Sequence, residues 1–207
     1  MPSHFPTKGL YAITPDISDT TLLLDKVKKA LLGGAAVIQY RDKISPPDEK
    51  KLRANAIHTL CLQHCVPLII NDDPALALRS QAEGVHLGQS DGSIHAAREI
   101  LGDSAIIGVT CHHDTSLAIA AEKLGANYVA FGRFFNSSTK PGAPLATLST
   151  LHNAKKNIHV PIVAIGGLKL NNASPIIHAG ADLTAVVDGI FSQKDITQSC
   201  HQFTELF

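Results

Sequence analysis

Cysteine is scarce in this chain. Cys61, Cys65, Cys111 and Cys200 are the only ones, too few and too scattered for a disulfide framework, so a reduced compartment is the simpler reading. Cys61, His64 and Cys65, like the run Cys111-His112-His113, offer soft metal ligands, but the second pair at finger-like spacing that structural zinc needs is missing. An excess of either charge is missing too. Lys+Arg and Asp+Glu both total 18, which excludes a global field for nucleic acid or an anionic membrane. Any anion binding must come from local constellations. No apolar run is long enough to span a bilayer, and Met1 to Lys8 has no apolar h-region, so the expected address is cytoplasmic. Linkers and low-complexity stretches are absent, so residues 1–207 are expected to form one domain. At 44% hydrophobic and 17% charged, that domain is globular, with enough chain to bury a core.

What is present is a rhythm. Apolar, β-rich runs recur at 10–14, 36–40, 67–71, 84–87, 106–110, 128–132, 161–165 and 184–187. Between them lie Ala/Leu-rich segments of helical spacing, such as 21–32, 47–64, 93–101, 115–124, 145–156 and 172–179. The runs are continuous rather than alternating, as in parallel strands covered on both faces. Gly34-Ala35, Gly125-Ala126 and Gly180-Ala181 precede strands, with Gly suited to the left-handed position that ends a helix. This predicts an α/β fold, a single (β/α)₈ TIM barrel. The alternative, a doubly wound open sheet, usually has fewer strands, and no glycine-rich dinucleotide fingerprint follows the first run.

In such a barrel, chemistry gathers at the carboxyl ends of the strands. There the second run carries Gln39, Tyr40, Arg41, Asp42 and Lys43, the third Asn71 and Asp72, and the fourth leads to Asp91. Thr110 ends the fifth, and Ser137, Ser138, Thr139 and Lys140 follow the sixth. Arg41 and Lys43, two apart in an extended segment, can share a face with Gln39. With Lys140 they suit a polyphosphate; Asp72 and Asp91 suit Mg²⁺, which takes one or two carboxylates beside phosphate oxygens and water. Gly166-Gly167 and the turn after Val187 stand where many barrels hold a phosphate. One metal–pyrophosphate site and one monophosphate site in the same mouth suggest transfer between two small phosphorylated molecules. The plainer readings are solvated charges for Arg41 and Lys43, and helix caps for Asp72, Asp73 and Asp91.

The phrases GLYAIT, IQYRDK, LIINDDPALAL, GVHLGQSD, IIGVTCH, YVAFGRFFNSSTKPGAP and VAIGG, in this order, resemble thiamine phosphate synthases from about residue 9 to 191. The resemblance implies that Gln39, Arg41 and Lys43, with Asn71 beside them, bind an aminopyrimidine pyrophosphate, Tyr40 and Asp42 being counted within the same stretch. It implies Mg²⁺ on Asp72 and Asp91, and Thr110 and Lys140 on the same substrate. Ser137 and Thr139, with Ser138 between them, would hold the thiazole phosphate; Gly167 and the backbone of Val187 and Asp188 would take its phosphate group. Arg41, Lys43 and Lys140 would stabilise the leaving pyrophosphate. Many relatives have Thr where Ser137 stands and Ser where Asp188 stands. A carboxylate aimed at a phosphate would be unfavourable, so only the backbone of Asp188 is carried over.

Two rivals stand beside this. A thiazole tautomerase on a similar barrel would use His112 for proton transfer, but has no use for a pyrophosphate–metal site. A barrel that only binds its ligand would have lost a carboxylate or a cation, yet all are present. The outer helix faces look ordinary and leave homo-oligomerisation open.

Overall fold

The computed structural model describes residues 4–136 and 145–207. Strands and helices alternate: β1 (Gly9–Ile13), α1 (Thr20–Leu32), β2 (Val37–Tyr40), α2 (Pro47–Gln63), β3 (Leu68–Asn71), α3 (Pro74–Ser80), β4 (Gly84–Leu87), α4 (Ile94–Leu101), β5 (Ile106–His112), α5 (Thr115–Lys123), β6 (Tyr128–Gly132), α6 (Leu148–Asn157), β7 (Ile162–Ile165), α7 (Leu170–His178), β8 (Leu183–Val186), α8 (Asp188–Phe191) and α9 (Ile196–Thr204). The strands pair in parallel in chain order, and β8 returns to β1 to close a barrel. The chain is a (β/α)₈ TIM barrel.

Local chemistry accounts for the elements. Every residue of β2 and β8 is buried, so the runs are apolar throughout because helices cover one face and the barrel lumen the other. Asp19, Asp73, Ser93, Asp114 and Asp195 stand just before α1, α3, α4, α5 and α9, and each side chain accepts from an amide of the first turn. Those amides have no partner within the helix.

The core has two layers. Leu10, Ile38, Leu68, Val85, Ile107, Val129 and Phe131 face the helices. Tyr11, Ile13, Val37, Ile69, Tyr128, Val163 and Leu183 fill the lumen. At the amino-terminal end Phe5 stacks on Tyr128 with ring centroids 3.9 Å apart. Gly108, paired with Tyr128 across β5 and β6, admits that ring: a Cβ there would lie 1.9 Å from Tyr128 Cζ.

Three of the departures from the expected segments bear on the ends of the barrel. The helix expected over 145–156 begins three residues later, at Leu148, behind the Thr147 cap. β5 runs on to His112 through an irregularity between Thr110 and His112. Beyond the short α8 lies a further helix, α9, whose Ile196, Cys200 and Phe203 are buried. Their i, i+4, i+7 spacing puts them on one helix face. No described helix is long and apolar enough to cross a membrane.

Candidate active site

The carboxyl end of β2 sets the first group of residues. The strand stops at Tyr40, so Arg41 and Lys43 ride a loop and do not share a strand face with Gln39. Thr14 Oγ1 accepts from the Arg41 amide (2.9 Å) and donates to the Arg41 carbonyl (3.0 Å). The guanidinium donates to Asp16 Oδ2 at 2.8 Å, and Asp16 Oδ1 accepts from the Lys43 amide at 2.7 Å. Lys43 Nζ turns the other way, to Asp72 Oδ2 at 2.6 Å.

Behind this loop lies Arg53 of α2, only 1% exposed. It donates to Asp42 Oδ2 (3.2 Å), Ser45 Oγ (2.8 Å), the Ile17 carbonyl (2.8 Å) and Thr20 Oγ1 (2.9 Å), and also meets Glu49 and the Ser18 carbonyl. Asp42 further accepts from the Tyr40 hydroxyl and the amides of Ile44 and Ser45. Burial raises the Asp42 carboxyl, but these donors outweigh it and hold it at about 2. Tyr40 and Asp42 tie the cationic loop to Arg53, and both also line the cleft shared with Lys43, Asn71 and Asp72.

Next to it, the ends of β3 and β4 bring two carboxylates together. Asp72, in the left-handed region at φ 63, accepts from Asn71 Nδ2 at 2.6 Å and shares a hydrogen bond with Asp91. Burial raises Asp72, but Lys43 and the shared bond prevail and hold it below the usual carboxylate range. Burial and the neighbouring Asp72 charge push Asp91 up. Neither acid caps a helix, since Asp73 caps α3 and Ser93 caps α4. Among the described residues no group of three or more His, Cys, Asp or Glu could hold a metal. Two hard carboxylates at one point, one of them carrying an unfavourable charge, are the donor set that Mg²⁺ suits. A solvent-open cleft of about 420 Å³ runs beside Lys43, Asn71 and Asp72.

Inside the lumen, Gln39 and Thr110 are joined by side chains from three other strands. Gln39 Nε2 donates to Tyr11 Oη at 2.8 Å, and the Tyr11 and Tyr128 hydroxyls lie 2.8 Å apart. His86 Nδ1 is 2.9 Å from Tyr128 Oη, and His86 Nε2 is 2.8 Å from Thr110 Oγ1. Burial pushes both phenols up, so they stay neutral. Gln89, from the loop after β4, donates to the Thr110 carbonyl.

On the far side, Gly166 and Gly167 have φ 107 and 66. The chain leaving β6 crosses them closely: a Cβ on Gly167 would lie 2.5 Å from the Asn136 carbonyl oxygen. Gly is required there on both counts. Val187 stands just before α8, and Asp188 is exposed in its first turn. Ser137, Ser138, Thr139 and Lys140 lie outside the described residues.

Comparison with known proteins decides what these ends of the barrel belong to. The family model described as thiamine monophosphate synthase matches residues 10–190. The chain belongs to that family. A thiamine-phosphate synthase of Methylococcus capsulatus is 47% identical over 203 residues, 98% of this chain and 91% of that protein. One of Alcanivorax borkumensis is 50% identical over 196 residues, 94% of this chain and 90% of that protein. A solved thiamine phosphate pyrophosphorylase of Pyrococcus furiosus superposes with a TM-score of 0.86 at 30% identity, covering 97% and 95% of the two chains.

The match to the thiamine monophosphate synthase family spans all eight strands, so every carboxyl end described above lies within it. Several residues there escape sequence reasoning. Asp16, Arg53, Tyr11 and His86 touch the expected site residues directly, and Tyr128 joins Tyr11 to His86. Tyr11, His86 and Tyr128 sit at inward positions of their strands, which alternation alone could have flagged. Asp16 and Arg53 carry no such signal.

Proposed function

We infer that this member of the family condenses a 4-amino-5-(hydroxymethyl)pyrimidine pyrophosphate with a thiazole phosphate to give thiamine phosphate and pyrophosphate. The observation that carries the reading is the facing pair Asp72 and Asp91, with Lys43 paired to Asp72 and Arg41 held by Asp16, which also accepts from the Lys43 amide, on a barrel of this family. Mixed acids and cations suit a metal–pyrophosphate complex, whereas either sign alone would repel itself.

Asp72 and Asp91 would hold Mg²⁺, which when bound supplies Lewis-acid stabilisation to the pyrophosphate oxygens. Arg41, Lys43, Asn71 and Lys140 bind the same group and stabilise the charge it gains on leaving. Gln39 and Thr110 hold the pyrimidine. Ser137, Ser138 and Thr139 hold the thiazole partner; Gly167 and the backbone of Val187 and Asp188 take its phosphate. The bond from the pyrimidine methylene carbon to pyrophosphate oxygen breaks, its electron pair leaving with pyrophosphate. The aminopyrimidine delocalises the resulting cation. The thiazole nitrogen lone pair then forms the new C–N bond, with no protein nucleophile or base. The chain supplies position and charge. Both substrates are small, and the reaction calls for no nucleic acid and no membrane; a cytoplasmic address and one domain over 1–207 complete the proposal.

The test mixes the purified chain with both substrates and Mg²⁺ and follows thiamine phosphate and pyrophosphate, with EDTA and Asp91→Ala alongside. Metal-dependent product, lost in the variant, is expected. No product from competent substrates overturns the reading and turns attention to thiazole isomerisation by wild type and His112→Ala. In the same assay Lys140→Ala is expected to lose turnover by about a hundredfold, the scale of one preorganised charge contact; unchanged turnover would remove Lys140 from the mechanism.

A further inference from the structure

Asp72 is held from three sides. Its amide donates to the His86 carbonyl at 2.8 Å. Its Oδ2 accepts from both Asn71 Nδ2 and Lys43 Nζ, each at 2.6 Å. A carboxylate oxygen has two lone pairs, so these two donors fill Oδ2. The three contacts differ in how easily they give way. The His86 bond ties Asp72 to β4, and Asn71 is its own neighbour at the end of β3. The Lys43 side chain, by contrast, is 51% exposed. Its loop is pinned, since Asp16 Oδ1 accepts from the Lys43 amide at 2.7 Å, but the four-carbon stem can swing while the backbone stays put.

Lys43 therefore stands between the acid pair and any cation meant for it. A divalent ion on Asp72 Oδ2 must displace the ammonium; one on Oδ1 meets that ammonium across the same carboxylate and is repelled by it. The other acid carries no such obstacle, because Asp91 Oδ2 accepts from the neutral Gly88 amide at 2.9 Å. Pyrophosphate reverses the balance. Its oxygens together carry more negative charge than one carboxylate and give the ammonium a better partner. We propose that Lys43 is a shared cation, one that holds free divalent metal off Asp72 and Asp91 and swings to pyrophosphate when the two arrive together. The acid pair is thereby reserved for metal that comes with its pyrophosphate. By linkage, what Lys43 takes from the affinity for metal alone returns as coupling between metal and pyrophosphate. Removing the Lys43 side chain should then tighten the hold on metal, whereas removing a mere support of Asp72 would loosen it. The proposal rests on the reading that this mouth takes a metal–pyrophosphate complex.

Two measurements test it. First, Mn²⁺ alone, which shares the oxygen preference of Mg²⁺, is titrated into the full chain and followed by the electron paramagnetic resonance of the free ion. Asp91→Asn marks which binding belongs to the acid pair and is expected to lose it. Lys43→Met is expected to bind Mn²⁺ about fivefold more tightly than wild type, the scale of one part-exposed charge contact. Lys43→Arg, which keeps the cation, is expected to stay close to wild type. Second, in turnover with Mg²⁺, Lys43→Met is expected to raise the KM for the pyrimidine pyrophosphate about tenfold, the scale of one hydrogen bond to a charged group, while the KM for the thiazole phosphate holds. Looser or unchanged Mn²⁺ binding in Lys43→Met, equal tightening in Lys43→Arg, or Mn²⁺ binding that Asp91→Asn leaves intact overturns the proposal. So does tighter Mn²⁺ with an unchanged KM for the pyrimidine pyrophosphate, since Lys43 would then oppose metal without serving pyrophosphate. Absence of thiamine phosphate formation by wild type would sink the functional reading separately, because the Mn²⁺ titration needs no turnover.

Discussion

Glu83, Asn127 and Asp182 stand just before β4, β6 and β8 at the amino-terminal end of the barrel, and each accepts from an amide at the start of the preceding strand. At the carboxyl end Asp72 faces Asp91, and Lys43 and Arg41 reach across to carboxylates on neighbouring loops. The amino end spends its acids on backbone amides that would otherwise be unpaired; the carboxyl end sets acid against acid. Backbone strain follows the same division. Cys65 and Gln81 adopt positive φ where helices end, a common helix terminator. Asp72 and His112 adopt it at the ends of strands, where no helix needs it and where it costs about 1–3 kcal/mol. One end is arranged for the fold alone, and the other keeps groups that a ligand would satisfy better than the protein does.

The largest expected effect breaks this division. Arg53 lies under the carboxyl-end loop, yet it is a folding residue, ringed by Asp42, Glu49 and backbone carbonyls. Arg53→Met leaves the Asp42 side chain, itself 3% exposed, without its cation, and is expected to cost about 3–5 kcal/mol of stability. Urea unfolding checks it. A loss below about 1 kcal/mol would mean the surrounding donors suffice without Arg53.

Asp91→Asn sharpens the division instead. Turnover is expected to fall at least about a hundredfold, roughly 2.7 kcal/mol of barrel-mouth charge stabilisation. The folded state raises the Asp91 carboxyl, so its charged form opposes folding at neutral pH. The amide is neutral, and the metal-free melting temperature is expected to hold or rise. A drop in both activity and melting temperature would make Asp91 an ordinary structural acid.

How much of this the sequence discloses depends on range. β1 to β8 are legible because continuous apolar runs mean strands buried on both faces, and helix ends because Gly125-Ala126 and Gly180-Ala181 stop a helix before a strand. The residue after each pair, Asn127 or Asp182, belongs to the same local pattern, but its bond goes back 20 residues to the previous strand. Asp72, Asp91, Gln39 and Thr110 can be placed at strand ends by counting. Their partners cannot: Tyr11 and Tyr128 are 117 residues apart, and Arg53 reads as one more charge on a helix. Pairing across a closed barrel is set by shear and twist, which composition does not encode.

Asp182→Ala is the next test, at the amino end. It leaves the Ile162 amide without its side-chain acceptor, and the Ile162 side chain is wholly buried. The expected cost is about 1–3 kcal/mol, with kcat and KM unchanged. Altered KM at constant fold would show that the two ends are coupled after all.

Asp182 also pairs with Lys155, Nζ to Oδ1 at 2.6 Å, while Oδ2 takes the Ile162 amide. The Asp182→Ala loss therefore sums two contacts, and Lys155→Met separates them. The Lys155 side chain is 51% exposed, so solvent and salt screen its charge, and removing it is expected to cost at most about 0.2–1 kcal/mol. The carboxylate remains and still serves the amide. If Lys155→Met costs as much as Asp182→Ala, and the difference from wild type vanishes in high salt, the staple is an ion pair and not an amide acceptor. Asn127 speaks against that outcome: it makes the same bond before β6 with a neutral side chain, so the device works without charge.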